Sequence, residues 1–125
     1  MKKKLDDSKP IFMQIKDLIE DSIMDESYQT GTRVPSTNEF AAFYQINPAT
    51  AGKGINELVG EGILVKKRGV GMFVTETAKE IVMEKRKQTF YDNYMLPLKE
   101  EAKKLQIKDE ELIEMLQRKD EGYED

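Results

Sequence analysis

The chain has 125 residues, 38% hydrophobic and 35% charged, enough for one ordinary domain, or a small domain with an appendage, around a modest core. With no cysteine and no histidine, it excludes a disulfide framework and thiolate metal or redox sites, and it lacks the commonest general base and zinc ligand. The net charge of −4 is unevenly placed, with 10 cations and 10 anions in residues 1–75 against 10 and 14 in residues 76–125, and two halves with different tasks are expected.

The start, MKKKLDDSK, has no apolar stretch of signal-peptide type after its lysines, and no apolar run approaches membrane-spanning length. A soluble cytoplasmic protein without membrane association is expected. There are no internal repeats. Residues 11–25 place Ile11, Ile15, Leu18, Ile19, Ile23 and Met24 at helical spacing on one face, with Pro10 at the helix start. A loop follows, ending in Gly31, Thr32, Arg33, Val34 and Pro35.

Ser36-Thr37-Asn38-Glu39 has the form of a capping box, and a short helix from about Thr37 to Tyr44 should bury Phe40 and Ala41. Asn47 suits the N-cap of a third helix and Pro48 its first position. That helix should run to about Val59, turn Ala51, Ile55, Leu58 and Val59 inward, and end at Gly60 or Gly62. Gly52 and Gly54 inside it each cost roughly 1 kcal/mol against alanine, which calls for a packing or contact reason.

Residues 63–67 and 71–75 read as two short strands joined by Arg68, Gly69, Val70 and Gly71. From about Thr77 the pattern is helical again. Tyr91, Tyr94, Met95, Leu98, Ala102 and Leu105 mark one face, and Pro97 should bend or break the run. A turn over residues 105–108 leads to a last helix that opens on Asp109, Glu110 and Glu111 and carries Leu112, Ile113, Met115 and Leu116. Residues 120–125 read as a frayed tail.

The fold class expected is therefore mainly α with a small β-hairpin: three helices, a hairpin and a C-terminal helical pair. The second and third helices have the dimensions of a helix-turn-helix, which would offer the N-terminal part of the third to a DNA major groove. Its outward face, Pro48, Ala49, Gly52, Lys53 and Asn56, is small and polar. Periodicity alone leaves open whether that face meets DNA or only solvent. The stretch VKKRGVGMFV at 65–74 could cradle a nucleotide phosphate, but a strand rather than a helix follows Gly71, and no Lys-Ser/Thr pair is present. A wing, with Lys66, Lys67 and Arg68 on duplex phosphates, fits better. The aromatic and apolar stripe reads as a packing face, for which a second copy is a natural partner.

Gly31-Thr32-Arg33-Val34-Pro35-Ser36, then Glu39-Phe40-Ala41, Thr50, Leu58, Glu61-Gly62-Ile63 and Arg68-Gly69-x-Gly71-x-Phe73-Val74 resemble the GntR family of bacterial transcriptional regulators over about residues 10–75. The short C-terminal part and Asn47-Pro48-Ala49-Thr50 resemble its YtrA subfamily. The resemblance implies a winged helix-turn-helix DNA-binding domain over 1–75 and a helical dimerisation or effector region over 76–125. It implies a homodimer on a palindromic operator in double-stranded DNA, repression as the sign of regulation, and no cofactor, metal or catalytic residue. An effector, if there is one, is an unidentified small molecule. The DNA-binding set it implies is Arg33, Ser36, Asn38, Asn47, Pro48, Ala49, Thr50, Gly52, Lys53, Asn56, Lys66, Lys67, Arg68 and Gly69. The dimerisation set is Tyr91, Tyr94, Met95, Leu98 and Leu112. Asn38 and Gly52 stand where the family commonly has DNA-contacting arginines, which unsettles the base contacts but not the docking mode. A winged-helix protein-interaction module and a small enzyme are the competing readings.

Overall fold

The computed structural model describes residues 4–120, and the chain divides into two compact units, Met1–Arg86 and Lys87–Asp125. The expected frayed tail lies, beyond Asp120, outside the described residues, as do Lys2 and Lys3 of the first lysine cluster.

The first unit begins with helix α1, Ile11–Met24, capped by Pro10. The buried Gln14 side chain ties down the chain before it, accepting from the Asp6 N–H and donating to the Asp6 and Lys9 carbonyls. Strand β1 is Arg33–Val34, α2 is Thr37–Tyr44, and α3 is Pro48–Gly60. Strands β2, Leu64–Lys67, and β3, Gly71–Val74, form the hairpin, and α4, Ala78–Phe90, follows. Helix α3 packs on both α1 and α2. Ile15, Ile19, Phe40, Ile55, Leu58, Ile63, Leu64 and Val34 are fully buried between them and the sheet. Ala51, Ile55 and Leu58 face inward as expected, and Val59 and Ile46 lie at the edge of the core.

The caps follow the sequence. Ser36 and Glu39 close a reciprocal capping box, and Asn47 Oδ1 accepts from the Ala49 N–H at 2.8 Å. At the far end of α3, Gly62 takes φ +82°, its N–H reaches the Val59 carbonyl, and the Ile63 N–H reaches that of Leu58. This double return stops the helix.

The sheet has three strands in the order β1-β3-β2, all antiparallel, so the expected hairpin is one half of it. Arg33 pairs with Phe73 and Val34 with Met72. The segment expected as the end of a loop is thus an edge strand. Two residues carry no alternation that a sequence could reveal, and the strand exists because β3 offers it a second edge.

Ala78 and Val82 of α4 are completely buried, so the first unit extends past the boundary expected at residues 75/76, to Arg86. An ion-pair cluster joins α4, α1 and the end of α3. Lys85 bonds Glu20 at 2.6 Å and Glu61 at 2.5 Å, Arg86 bonds Asp21 at 2.6 Å, and Lys16 bonds Glu57 at 2.9 Å and Glu61 at 3.2 Å. Burial works against the Glu61 carboxylate, but the hydrogen bonds from Lys85 and Lys16 outweigh it and hold its pKa below the usual range.

In the second unit, the end of α4 passes into a π-helical turn, Tyr91–Met95, then α5, Leu96–Lys104, and α6, Asp109–Gln117. Pro97 does not break the run. It stands in the first turn of α5, and the preceding turn widens so that the Leu96 N–H reaches the Tyr91 carbonyl. The wide turn shifts the helical phase between Tyr91 and Leu98, and the expected stripe is not one straight face. Leu98, Ala102, Leu105, Ile107, Leu112 and Leu116 line a groove of about 380 Å³ between α5 and α6.

Candidate nucleic-acid interface

The outward side of the helix-turn-helix starts with α3. Pro48, Ala49, Lys53 and Asn56 are exposed and Gly52 is half-buried, so the expected face is a real surface. The two helix glycines separate by role. A Cβ on Gly54 would stand 2.6 Å from the Phe12 carbonyl oxygen, so Gly54 is what lets α3 approach the backbone of α1. A Cβ on Gly52 would meet the Thr37 Cγ2 at an ordinary 3.5 Å. Gly52 is not required by packing, and it lies directly beside the start of α2.

That contact begins a continuous chain of neighbours. Thr37 opens α2, and Ser36 and Glu39 cap it. Glu39 Oε1 accepts from the Ser36 N–H at 2.9 Å and from Arg33 Nη2 at 3.2 Å. The backbone N–H of Ser36, then its hydroxyl, then Arg33 hold the Glu39 carboxyl below its ordinary range. Arg33 Nε in turn donates to the Val70 carbonyl of the wing turn at 3.4 Å. Residues from β1, α2, α3 and the β2–β3 turn thus share one surface. On its other flank, Lys53 Nζ sits 4.0 Å from the centre of the Phe12 ring.

The wing is a hairpin whose Lys67 faces Gly71 across the pair, with Arg68, Gly69 and Val70 as the connection. Gly69 has φ +74° and Gly71 φ +139°, values that side chains rarely tolerate. Lys66, Lys67 and Arg68 are all exposed. Lys67 Nζ lies 4.6 Å from the Phe73 ring centre. Lys66, Lys67 and Arg68 have no ion pair with any described residue, which leaves three cations without a carboxylate partner on the wing.

Of the expected residues, Ser36 and Asn47 are occupied as helix caps and Arg33 by Val70 and Glu39. The side chains of Asn38, Asn56, Lys66 and Arg68 make no hydrogen bond or ion pair with a described residue. Sequence reasoning passed over Phe12, Thr37 and Glu39 as parts of this surface. Glu39 was visible only as a cap, and nothing in the helical pattern marked Phe12 as the seat of a lysine.

Among the expected dimer residues, Leu98 and Leu112 meet in the groove of the second unit. Tyr91 and Tyr94 do not line it; Tyr94 packs on Phe90 with ring centres 5.4 Å apart, and Lys99 reaches the Tyr91 hydroxyl at 3.4 Å. Met95 is half-buried. Among the described residues, no helix is long and apolar enough to cross a membrane, and no cluster of acidic side chains could hold a metal.

Residues 12–74 match the model of the gntR family of bacterial regulatory proteins. The transcriptional repressor YtrA of Bacillus subtilis is 32% identical over 80% of this chain and 71% of its own. The regulator YurK of the same organism is 36% identical over 54% of this chain, which spans only 28% of that relative. A GntR family regulator from Listeria monocytogenes superposes with a TM-score of 0.72 at 29% identity, covering 93% of this chain and all of that one. The DNA-binding domain of AraR, solved in complex with operator ORR3, superposes on 60% of this chain and covers 93% of its own, with a TM-score of 0.52 at 26% identity. The surface built from α2, α3 and the wing is accordingly that of a winged helix-turn-helix, and the chain belongs to the gntR family, on its YtrA-like branch, as a DNA-binding transcriptional regulator.

Proposed function

We propose that this chain is a cytoplasmic repressor that binds a two-fold symmetric operator as a homodimer. The start of α3, from Asn47 to Lys53 with Asn56, enters the major groove. Lys66, Lys67, Arg68 and Gly69 of the wing lie on the phosphates or in the neighbouring minor groove. Asn38 and Ser36 meet the backbone at the start of α2. The DNA-binding part corresponds to the expected domain over 1–75 extended by the first turns of α4, and the rest of the chain serves dimerisation.

The observation that carries this reading is the joined surface of α2, α3 and wing, with exposed cations at its edge and a recognition-helix start that is small and uncharged up to Lys53. A bulk-free helix start lets the backbone come close to base edges, and the cations supply salt-dependent affinity. The dimer reading is supported by the second unit. Phe90, Tyr94, Leu105, Ile113 and Leu116 are each more than half exposed there, around an apolar groove that the unit does not fill from within. A second copy covers such a face symmetrically. Selection of bound fragments from genomic DNA, followed by footprinting with the full chain, tests the reading. Two protected half-sites related by a dyad are expected; no enrichment of any sequence would contradict it.

A further inference from the structure

Arg33 is one of three groups whose positions interlock at the base of the wing. Its Nε donates to the Val70 carbonyl and its Nη2 to Glu39. The third group is Gly71. A Cβ there would stand 2.7 Å from Arg33 Nε and 3.3 Å from its Cδ, so the arginine lies across the bare α-carbon of Gly71. Any side chain at residue 71 would displace it. The acceptor Glu39 is itself held, because the same carboxylate oxygen takes the Ser36 N–H of the capping box. The β1–β3 pairing, with Arg33 opposite Phe73, fixes where the arginine starts. The side chain therefore runs from an edge strand, under the wing turn, to the first turn of α2.

We propose that Arg33 is a positioning residue: a strut that holds the wing turn at a set distance from the helix-turn-helix, and so sets where Lys66, Lys67 and Arg68 meet the DNA backbone. It acts through the wing and not by its own contact with a phosphate. The planar guanidinium suits this task, since its N–H groups donate from two nitrogens held at a fixed spacing, one to a carbonyl and one to a carboxylate, whereas a lysine ammonium offers a single point donor on a flexible stem. The effect on DNA rests on the function proposed above; the effect on the wing does not.

The test compares Arg33→Lys and Arg33→Gln with the parent chain. Backbone relaxation by NMR, without DNA, reads the order of residues 68–71. In both variants the backbone order parameter of the wing should drop from a rigid ~0.85 toward a flexible ~0.6, while α3 keeps its own. Both variants should bind a mixed-sequence duplex of about 30 base pairs more weakly, by similar factors, at an unchanged melting temperature. Unchanged wing order in both variants would overturn the strut. So would a lysine variant that binds like the parent while the glutamine variant does not, since that pattern marks a plain charge contact. A parent chain that does not bind the duplex at all would remove the DNA reading, and the relaxation data would still decide whether the strut exists.

Discussion

Gly54 shows how one missing methyl group sets how closely two helices approach. The α1 and α3 backbones meet at Phe12 and Gly54 with no room for a Cβ, and the same Phe12 carries Lys53 on its ring. Gly54→Ala should therefore destabilise the protein by about 1–3 kcal/mol, as inserted bulk does in a tight core. Gly52→Ala should leave the fold intact and add up to about 1 kcal/mol of helix propensity. Urea unfolding of the two variants checks both, and equal destabilisation would refute the division of roles. A large residue at Gly52 should weaken DNA binding more than folding. From the sequence the two glycines were indistinguishable, because the difference lies in a partner backbone about forty residues away in the chain.

At the scale of elements, the capped helices were legible because each end carries its own chemistry: Ser36 with Glu39, Asn47 with Pro48, Gly62 after α3. Strand β1 and the π-helical turn were not. The first depends on a partner strand, and the second is a local answer to Pro97 that keeps the helix running. The wing makes a direct prediction. Replacing Lys66, Lys67 and Arg68 by alanine should weaken binding to every duplex. It should also flatten the plot of log affinity against log salt, by about 0.9 for each phosphate that the wing no longer neutralises. An unchanged slope in a titration by fluorescence anisotropy would take the wing out of the interface.

The cluster around Glu61 makes another prediction. Its carboxyl is held below the ordinary range, so its contribution to stability is complete above the ordinary glutamate pKa of about 4.3 and is lost as pH falls through the folded value. Lys16 is shifted the other way. Burial opposes its charge, but Glu57 and Glu61 raise its pKa, and its contribution persists until pH rises through that folded value. Stability should fall on acidification below about pH 5, and Glu61→Gln should make that fall shallower. Melting temperatures recorded across the acid range decide it; parallel profiles for parent and variant would deny the cluster a part in acid unfolding.

For the whole molecule, the chain divides into two compact units, and the proposed function gives each its own task. The shift from balanced to acidic composition suggests two parts, but it does not say where the compact units divide. Ala78 and Val82 belong to the first core, and nothing in the helical pattern of α4 says which unit its first turns serve. A chain ended after Arg86 keeps those residues and the bonds of Lys85 and Arg86 to α1, and should sediment as a folded monomer. A dimer at that length would place the interface in the first unit. Leu98→Asp together with Leu112→Asp in the full chain should likewise leave a monomer, because a second copy covering the groove would have to bury two facing charges.

In the proposed function one surface, made of the α3 start and the wing, docks on duplex DNA in two symmetric copies. Hydroxyl-radical footprinting of the full chain on a fragment selected from genomic DNA tests it most directly. Two protected patches are predicted, related by a dyad, with centres about one helical turn of 10–10.5 base pairs, or a multiple of it, apart. A single unpaired patch, or protection that ignores sequence, would contradict symmetric docking.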